Sequence, residues 1–237
     1  NGSTWTVVSN GVRAGALLGV SCISVSKCTA VGDTTTAGLI ETWNGSQWSV
    51  VKPAGNPALF SGVSCVPTVS ADFCVATGTA NSPIPHPLVE SWNGTAWSTS
   101  HLTLPAGAND FLSVSCTAAS ACAAVGVDQG RAFSKPLVAS WNGTAWSAKA
   151  LATPANSELD SVSCVNAANC TATGRVGDPG ATLAESWNGT TWSRQTVPNP
   201  ASGDSLVGVS CASAVMCVAV GSGSPGAEAL IESGTAG

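Results

Sequence analysis

Five pairs of cysteines recur along the chain at nearly constant spacing, each in a stretch rich in valine, serine and alanine. In four of the five units the motif Trp-Asn-Gly-Ser/Thr-x-Trp follows the second cysteine by 15 to 19 residues. Cys116 and Cys164, which hold the same place in successive units, are 48 residues apart. A unit of this length with four short apolar runs buries its faces only against neighbouring units. The sequence therefore predicts an all-β fold, a five-bladed β-propeller with four antiparallel strands per blade.

All ten cysteines belong to within-unit pairs, which indicates one local disulfide per unit, joining the first two strands. Metal binding is the alternative interpretation of Cys-x5-Cys, but the chain offers only two histidines as further ligands. Because disulfides persist in oxidising compartments, we expect a secreted protein whose export signal has been removed. The second unit has eight residues between its cysteines instead of five, so its hairpin loop is longer. The predicted pairs are Cys22 with Cys28, Cys65 with Cys74, Cys116 with Cys122, Cys164 with Cys170, and Cys211 with Cys217.

The tryptophan motif predicts a second hairpin in each unit. Asn-Gly between apolar runs favours a two-residue type I′ turn, in which both central residues have positive φ. With that loop, Glu41, Trp43 and Trp48 share one face of the blade, and the two tryptophans are diagonal neighbours. The first strand of each unit has the smallest side chains, which suits the crowded centre of the ring. The tryptophan strands are then expected at the outside.

The two ends of the chain supply complementary halves of a fifth hairpin. Residues 1–8 resemble the second strand of that hairpin, and residues 229–233 resemble the first. We expect these segments to pair antiparallel, so that the N-terminal strand closes the last blade and Trp5 becomes buried. Residues 1–237 then form a single domain without an open sheet edge.

The pattern Glu-Ser-Trp-Asn-Gly-Thr-x-Trp-Ser, with upstream Val-Ser-Cys and Cys-x-Ala-Val/Thr-Gly, resembles the tryptophan-repeat β-propellers of exported bacterial proteins, chiefly actinobacterial ones. The resemblance covers essentially the whole chain. It implies a secreted propeller domain and brings no catalytic residues. Five-bladed tachylectin-like sugar-binding proteins have other motifs, so the link to them is only architectural.

Composition excludes several classes of partner. Charged residues make up 9% of the chain, the formal net charge is −5, and the eight basic residues are scattered singly. Nucleic acid and anionic membranes are therefore poor partners. No apolar run reaches transmembrane length, so we expect no membrane insertion. Because no phosphate loop, zinc-protease motif or nucleophile elbow is present, we expect neither a cofactor nor a metal.

The carboxylates support two interpretations. A glutamate recurs at one repeat position, which favours a structural hydrogen bond over catalysis. A glycosidase instead needs two carboxylates at asymmetric positions flanking one bond. That alternative would rely on Asp33, Asp128 and Asp178, which follow the second strands. The repeated glutamates are Glu41, Glu90, Glu185 and Glu232.

These observations favour a non-catalytic extracellular binding module with carbohydrate as the ligand. The connections between second and third strands differ among units, which is typical of binding loops, so we expect a glycan or a protein partner at that rim. The tryptophans are expected mainly to fill the blades, with sugar stacking as the alternative. A structural subunit or domain of a secreted assembly is the second hypothesis. The predicted binding residues are Asp33, Asn81, His86, Asp128, Arg131 and Asp178.

Overall fold

The computed structural model describes residues 4–10, 12, 14–55, 57–80, 85–129, 133–199, 202–223 and 228–234. Within these residues the chain is all-β. The described segments contain no helix that is long and apolar enough to cross a membrane. The strands are β1 (Ala16–Ser24), β2 (Lys27–Asp33), β3 (Gly38–Trp43), β4 (Trp48–Val51), β5 (Pro57–Val66), β6 (Phe73–Ala80), β7 (His86–Trp92), β8 (Trp97–Thr99), β9 (Ala108–Ala118), β10 (Ala121–Gln129), β11 (Ser134–Trp141), β12 (Trp146–Ala150), β13 (Glu158–Asn166), β14 (Asn169–Val176), β15 (Ala181–Trp187), β16 (Trp192–Arg194), β17 (Ser205–Ser213), β18 (Met216–Gly223) and β19 (Glu228–Gly234).

The strands form five antiparallel sheets in simple sequential order. The first sheet contains β1–β4, the second β5–β8, the third β9–β12 and the fourth β13–β16, while the fifth contains β17–β19. The first strands of successive sheets contact each other, from β1 through β5, β9 and β13 to β17. The small-residue strands are therefore innermost and the tryptophan hairpins lie outside, as the sequence predicts.

Each sheet has its disulfide at the turn between its first two strands. Cys116 and Cys122 are direct cross-strand partners, and their Cα atoms are 4.0 Å apart. The same pairing occurs in every unit, including the second with its longer loop. All five predicted disulfides are confirmed.

In four of the five units the serine before the first cysteine joins neighbouring sheets, a role that the sequence did not reveal. The Ser64 hydroxyl accepts a hydrogen bond from the Cys116 backbone N–H of the next sheet, at 2.9 Å. Equivalent bonds of 2.9 to 3.0 Å recur at the other three junctions. The Val-Ser-Cys motif thus closes a hairpin within one sheet and anchors that sheet to the next. The other pairs are Ser21 with Cys65, Ser115 with Cys164, and Ser163 with Cys211.

Apolar side chains fill the space between sheets. One face of each sheet packs on the opposite face of the following sheet, so the main clusters each combine residues of two sheets. Phe60, Phe111 and Leu159 hold the same place at the start of three first strands and are completely buried. Burial against neighbours is the expected behaviour of a repeat protein.

The first and fifth sheets each have a neighbour on one side only, so each leaves one apolar face uncovered. Val20 of the first sheet is 64% exposed, whereas Val63 at the same position in the second sheet is 8% exposed. On the fifth sheet Ile231 is 71% exposed, whereas Val89 in the second sheet is completely buried. The described sheets therefore form an open arc.

The expected closure by the N-terminal strand is absent from this arrangement. Residues 4–10 form no strand, and Trp5 is fully exposed. Val8 and Asn10 instead lie against the uncovered face of the first sheet, where they line a cavity with Glu41 and Trp48. At the second sheet the corresponding place is taken by the connection that leads into that sheet from the first. The N-terminal segment therefore does not pair with the described part of β19, which has no outer partner strand.

Candidate functional site

The Asn-Gly hairpins have a four-residue loop, not the two-residue loop that the sequence suggested. Trp43 pairs directly with Trp48, with Asn44–Gln47 between them. The Asn44 side-chain oxygen accepts hydrogen bonds from the Ser46 and Gln47 backbone N–H groups, at 2.9 and 3.0 Å. This Asx turn explains the asparagine, and a φ of 95° explains the glycine at position 45. The other three hairpins repeat the same bonds.

The two tryptophans of each hairpin have different environments. Their ring centroids are 5.7 to 5.9 Å apart with tilted planes. In the second, third and fourth sheets the second ring packs into the core against the preceding sheet, and Trp97, Trp146 and Trp192 are buried. The first ring is half-buried. In Trp141, for example, the indole N–H donates to the Ala119 carbonyl oxygen at 2.9 Å, which fixes the ring beside the disulfide turn.

The Asn-Gly turns and the disulfide turns lie at the same rim of the molecule. Two grooves with matching walls lie at this rim, between neighbouring sheets. The first groove separates the first and second sheets, has a volume of about 490 Å³, and is lined by Trp43 and Trp92. The second groove separates the third and fourth sheets, has a volume of about 360 Å³, and is lined by Trp141 and Trp187. Each groove thus has one half-buried indole from each adjoining sheet, together with cysteines of both disulfides.

The polar groups differ between the grooves. In the first groove, Lys27 Nζ and Asp72 Oδ2 are 2.6 Å apart and form an ion pair between the two sheets. In the second groove, polar lining comes from neutral groups such as Ser120, Asn142 and Asn166. Neither charged position was singled out by the sequence, because Lys27 and Asp72 belong to different units and only the packing of two sheets brings them together.

The predicted binding residues lie elsewhere, at the opposite rim. Asp33 ends β2, His86 begins β7, and Asp128 is a buried residue near the end of β10, each in a different sheet. Asp178 precedes Pro179 in the connection after β14, and the peptide bond between them is cis. Asn81 and Arg131 lie outside the described residues. The four described residues belong to four sheets, and their role in binding remains a prediction.

Glu41 and Glu90, two of the repeated glutamates, face the segment that precedes their own sheet. Glu90 is completely buried, and its carboxylate accepts hydrogen bonds from the Ala54 and Gly55 backbone N–H groups, at 2.9 and 2.7 Å. Such bonds satisfy a buried carboxylate and fix the connection. Burial raises the pKa of the corresponding Glu41, Glu185 and Glu232 carboxyl groups.

One further carboxyl group near the inner strands has a strongly shifted pKa. Asp160 of β13 has its pKa raised to about 6 by burial and by the negative charge of Glu158, while Arg175 opposes the shift. Arg175 Nε donates to Glu158 Oε1 at 2.6 Å. Among the described residues, no group of three or more histidine, cysteine, aspartate or glutamate side chains is arranged to hold a metal ion.

No protein-family model and no curated protein matches the sequence. Several solved structures have a similar fold. A mutant of Aleuria aurantia lectin in complex with α-methyl-L-fucoside has a TM-score of 0.63 at 9% identity, over 93% of this chain and 75% of the lectin chain. The SapL1 lectin in complex with α-methyl fucoside has a TM-score of 0.54 at 10% identity, over 97% of this chain and 83% of that chain.

A third similar structure is YCF48 bound to D1 peptide, with a TM-score of 0.56 at 14% identity over 92% of this chain. The chain spans 65% of the length of that YCF48 chain. At such identities the likeness concerns the fold alone. Together with the five sequential antiparallel sheets, these comparisons show that the chain has a β-propeller-like fold.

Proposed function

We propose that this chain is a non-catalytic extracellular carbohydrate-binding protein and that the first and second grooves are its sugar sites. The observation that carries the proposal is the repeated pair of half-buried indoles, one from each of two adjoining sheets. Small-molecule sites are concave, largely apolar and supplied with a few fixed polar groups. An aromatic wall suits the apolar face of a sugar ring, while the polar groups at the groove suit its hydroxyls.

The structural neighbours support the same ligand class. Two of the similar structures described above are lectins in complex with fucosides. Matching grooves within one chain would also give avidity for a glycan with several sugar units, although each single site is weak. The five disulfides support an oxidising, extracellular environment for such a protein.

Mutation of the groove and of the opposite rim distinguishes the two possible sites. We expect binding of glycans on an array, and titration with the methyl glycosides found there, to be weakened at least about tenfold by Trp43→Ala together with Trp141→Ala. The variant Asp33→Asn with His86→Gln serves as the rim control and is expected to bind normally. Loss of binding only in the rim variant would move the site to the loops, and no glycan binding by the intact chain would refute the proposal.

We also propose that the five sheets are blades of one closed ring over residues 1–237. Four identical serine-to-cysteine junctions support this architecture, as do the complementary uncovered faces of the first and fifth sheets. A face that packs on its counterpart at each internal junction is suited to the same contact at the ends, and both faces belong to one chain, which favours intramolecular docking.

The same uncovered faces favour a second candidate function, as a building block of a secreted assembly. Val20, Val220 and Ile231 are exposed apolar residues at the two ends of the arc, and contact between the fifth sheet of one copy and the first sheet of another would generate a head-to-tail chain. Sedimentation velocity over a range of concentrations tests this candidate, because growing oligomers support it and a constant monomer refutes it.

A further inference from the structure

The first groove has a charged pair that the second groove lacks. Lys27 precedes the second cysteine of the first unit, and Asp72 lies in the turn before β6 of the second sheet. Their 2.6 Å contact lies among the residues that line the groove with Trp43 and Trp92. At the position before the second cysteine, where the first groove has Lys27, the second groove has Ala121, and no acidic residue lines the second groove. The two grooves therefore share an aromatic frame and differ in polar chemistry.

The pair contributes little to stability by its own contact. The Lys27 side chain is 60% exposed and the Asp72 side chain 26% exposed, and surface ion pairs contribute about 0 to 1 kcal/mol. The charges nevertheless occupy a place where a ligand in the groove would meet them. The fold therefore does not depend on this pair, and both charged groups are accessible to a ligand in the groove.

The loop that supplies Asp72 is ordered by its own hydrogen bonds. This loop is the longer hairpin of the second unit, with eight residues between its cysteines. The Thr68 hydroxyl donates to the Ala71 carbonyl oxygen and accepts from the Ala71 backbone N–H, so both bonds lie directly before Asp72. The extra length of the second unit thus holds a carboxylate at the groove, and preorganisation of this kind lowers the entropic cost of binding.

We infer that Lys27 and Asp72 are the polar recognition pair of the first groove and that they select a neutral sugar with two adjacent hydroxyl groups. A carboxylate accepts hydrogen bonds on both oxygens, and an ammonium group has three donors, of which one is used by Asp72. Asp72 can therefore accept a hydroxyl while Lys27 donates to the neighbouring hydroxyl oxygen. Hydrogen bonds with a charged partner are about twice as strong as neutral ones.

The same pair disfavours acidic sugars. The positive charge of Lys27 is already compensated by Asp72, so the groove offers no free cation to a uronic acid, and the net charge of −5 repels an anion further. The second groove has only neutral polar groups, and it is expected to bind the same ring more weakly. This inference depends on the proposed sugar-binding function and adds that its two sites are unequal.

Calorimetric titration of the intact protein tests the inference. The probes are the methyl glycosides of fucose, mannose, galactose and glucose, with methyl glucuronide as the acidic comparison. We expect two classes of site for at least one neutral probe and none for the glucuronide. Asp72→Asn and, separately, Lys27→Met should weaken the tighter class at least about tenfold, with no change in the weaker class and a melting temperature close to that of the wild type.

Two further variants make the test specific. Ala121→Lys with Asn166→Asp introduces one positive and one negative side chain among the residues that line the second groove, and it should raise the affinity of the weaker class. Glu158→Gln removes an ion pair with the same 2.6 Å contact and similar exposure outside both grooves, and it should leave binding unchanged.

The possible outcomes separate the inference from the function on which it depends. Binding that is lost in Trp43→Ala but unchanged in Asp72→Asn and Lys27→Met overturns the recognition pair and leaves the sugar-binding function intact. Tighter binding of the glucuronide than of the neutral probes overturns the ligand class. If the intact protein binds no methyl glycoside, both the function and the inference are wrong.

Discussion

Gly126 shows how closely the first two strands of a sheet approach each other. A Cβ atom at this position would lie 2.1 Å from the Asp110 carbonyl oxygen. Glycines at the same repeat position in the other sheets face the same obstacle, at 1.8 to 2.1 Å. The clashing atom is a backbone carbonyl oxygen in every case, so it cannot move away by a change of side-chain rotamer. The repeated glycine is therefore a steric requirement of the sheet. These other glycines are Gly32, Gly78, Gly174 and Gly221.

We expect Gly126→Ala to lower the free energy of unfolding by about 2 to 3 kcal/mol, because the added methyl group forces β9 and β10 apart. Denaturant unfolding of the variant measures the effect. Gly234→Ala is the matched control, since a Cβ at Gly234 meets no atom within 4 Å. Equal stability of the two variants would contradict the steric explanation.

Asp160 gives the stability a defined pH dependence. Its pKa is raised from 3.8 to about 6 in the folded state, so the folded protein binds this proton more tightly than the unfolded chain does. The contribution of the group is favourable at low pH and is lost as pH rises through the interval from about 4 to 6. Asp160→Asn should therefore raise the melting temperature above pH 6 and have little effect near pH 4.

Thermal unfolding of the Asp160→Asn variant and the wild type across pH 4 to 8 checks this prediction. The difference between the two curves is the relevant quantity, because other buried carboxyl groups such as Glu185 add a pH dependence of the same sign to both proteins. A stabilisation that is largest at pH 4 would show that the sign is wrong.

The first hairpin of each sheet is the element that the disulfide stabilises. Cys116 and Cys122 close a ring of about seven residues, which removes about 2 to 2.5 kcal/mol of conformational entropy from the unfolded chain. Replacement of both cysteines by alanine should reduce the free energy of unfolding by about 2 kcal/mol, measured by chemical denaturation under oxidising conditions. Thr117→Ala with Ser120→Ala changes the same turn without removing the disulfide. An equal loss of unfolding free energy in this control would contradict the stabilising role of the disulfide.

The elements that the sequence predicted well are those specified within one unit. The alternating Val-Ser-Cys stretches and the paired cysteines of each unit predicted the hairpins and their disulfides. The small side chains of the first strands predicted their inner position. The prediction of a two-residue loop in the tryptophan hairpin was wrong, because the side-chain oxygen of Asn44 accepts hydrogen bonds from two backbone N–H groups and so stabilises a four-residue loop. The grooves were missed because their walls come from two sheets, and no pattern within one unit shows which side chains meet across a junction.

At the scale of the whole molecule, the open arc and the closed ring predict different effects of a Ser210 substitution on the free energy of unfolding. Ser210 is exposed at the free end, whereas its counterpart Ser64 accepts a hydrogen bond from the Cys116 N–H. Ser64→Ala leaves a polar donor unpaired and should cost about 1 to 2 kcal/mol in the free energy of unfolding. In a closed ring Ser210 would accept from Cys22, so Ser210→Ala should cost the same.

Chemical denaturation of the two serine variants, together with sedimentation of the wild type, decides between these arrangements. A monomer in which Ser210→Ala is as damaging as Ser64→Ala indicates closure within one chain. A monomer in which Ser210→Ala has no effect contradicts the closed ring and leaves the arc as described. Ser46→Ala, in an exposed turn, is the control for a hydroxyl loss that affects no junction.

The uniform serine-to-cysteine junction has a consequence for how such a chain could change over generations. Because each junction uses the same residues, one whole unit could be duplicated in the gene without a new kind of contact between its product and the neighbouring sheets. Each duplication would also bring another tryptophan hairpin, the element that supplies the aromatic walls of the grooves. The polar residues, which differ between the two existing grooves, could then diverge separately, so that the number of sites and their selectivity would be inherited as independent traits.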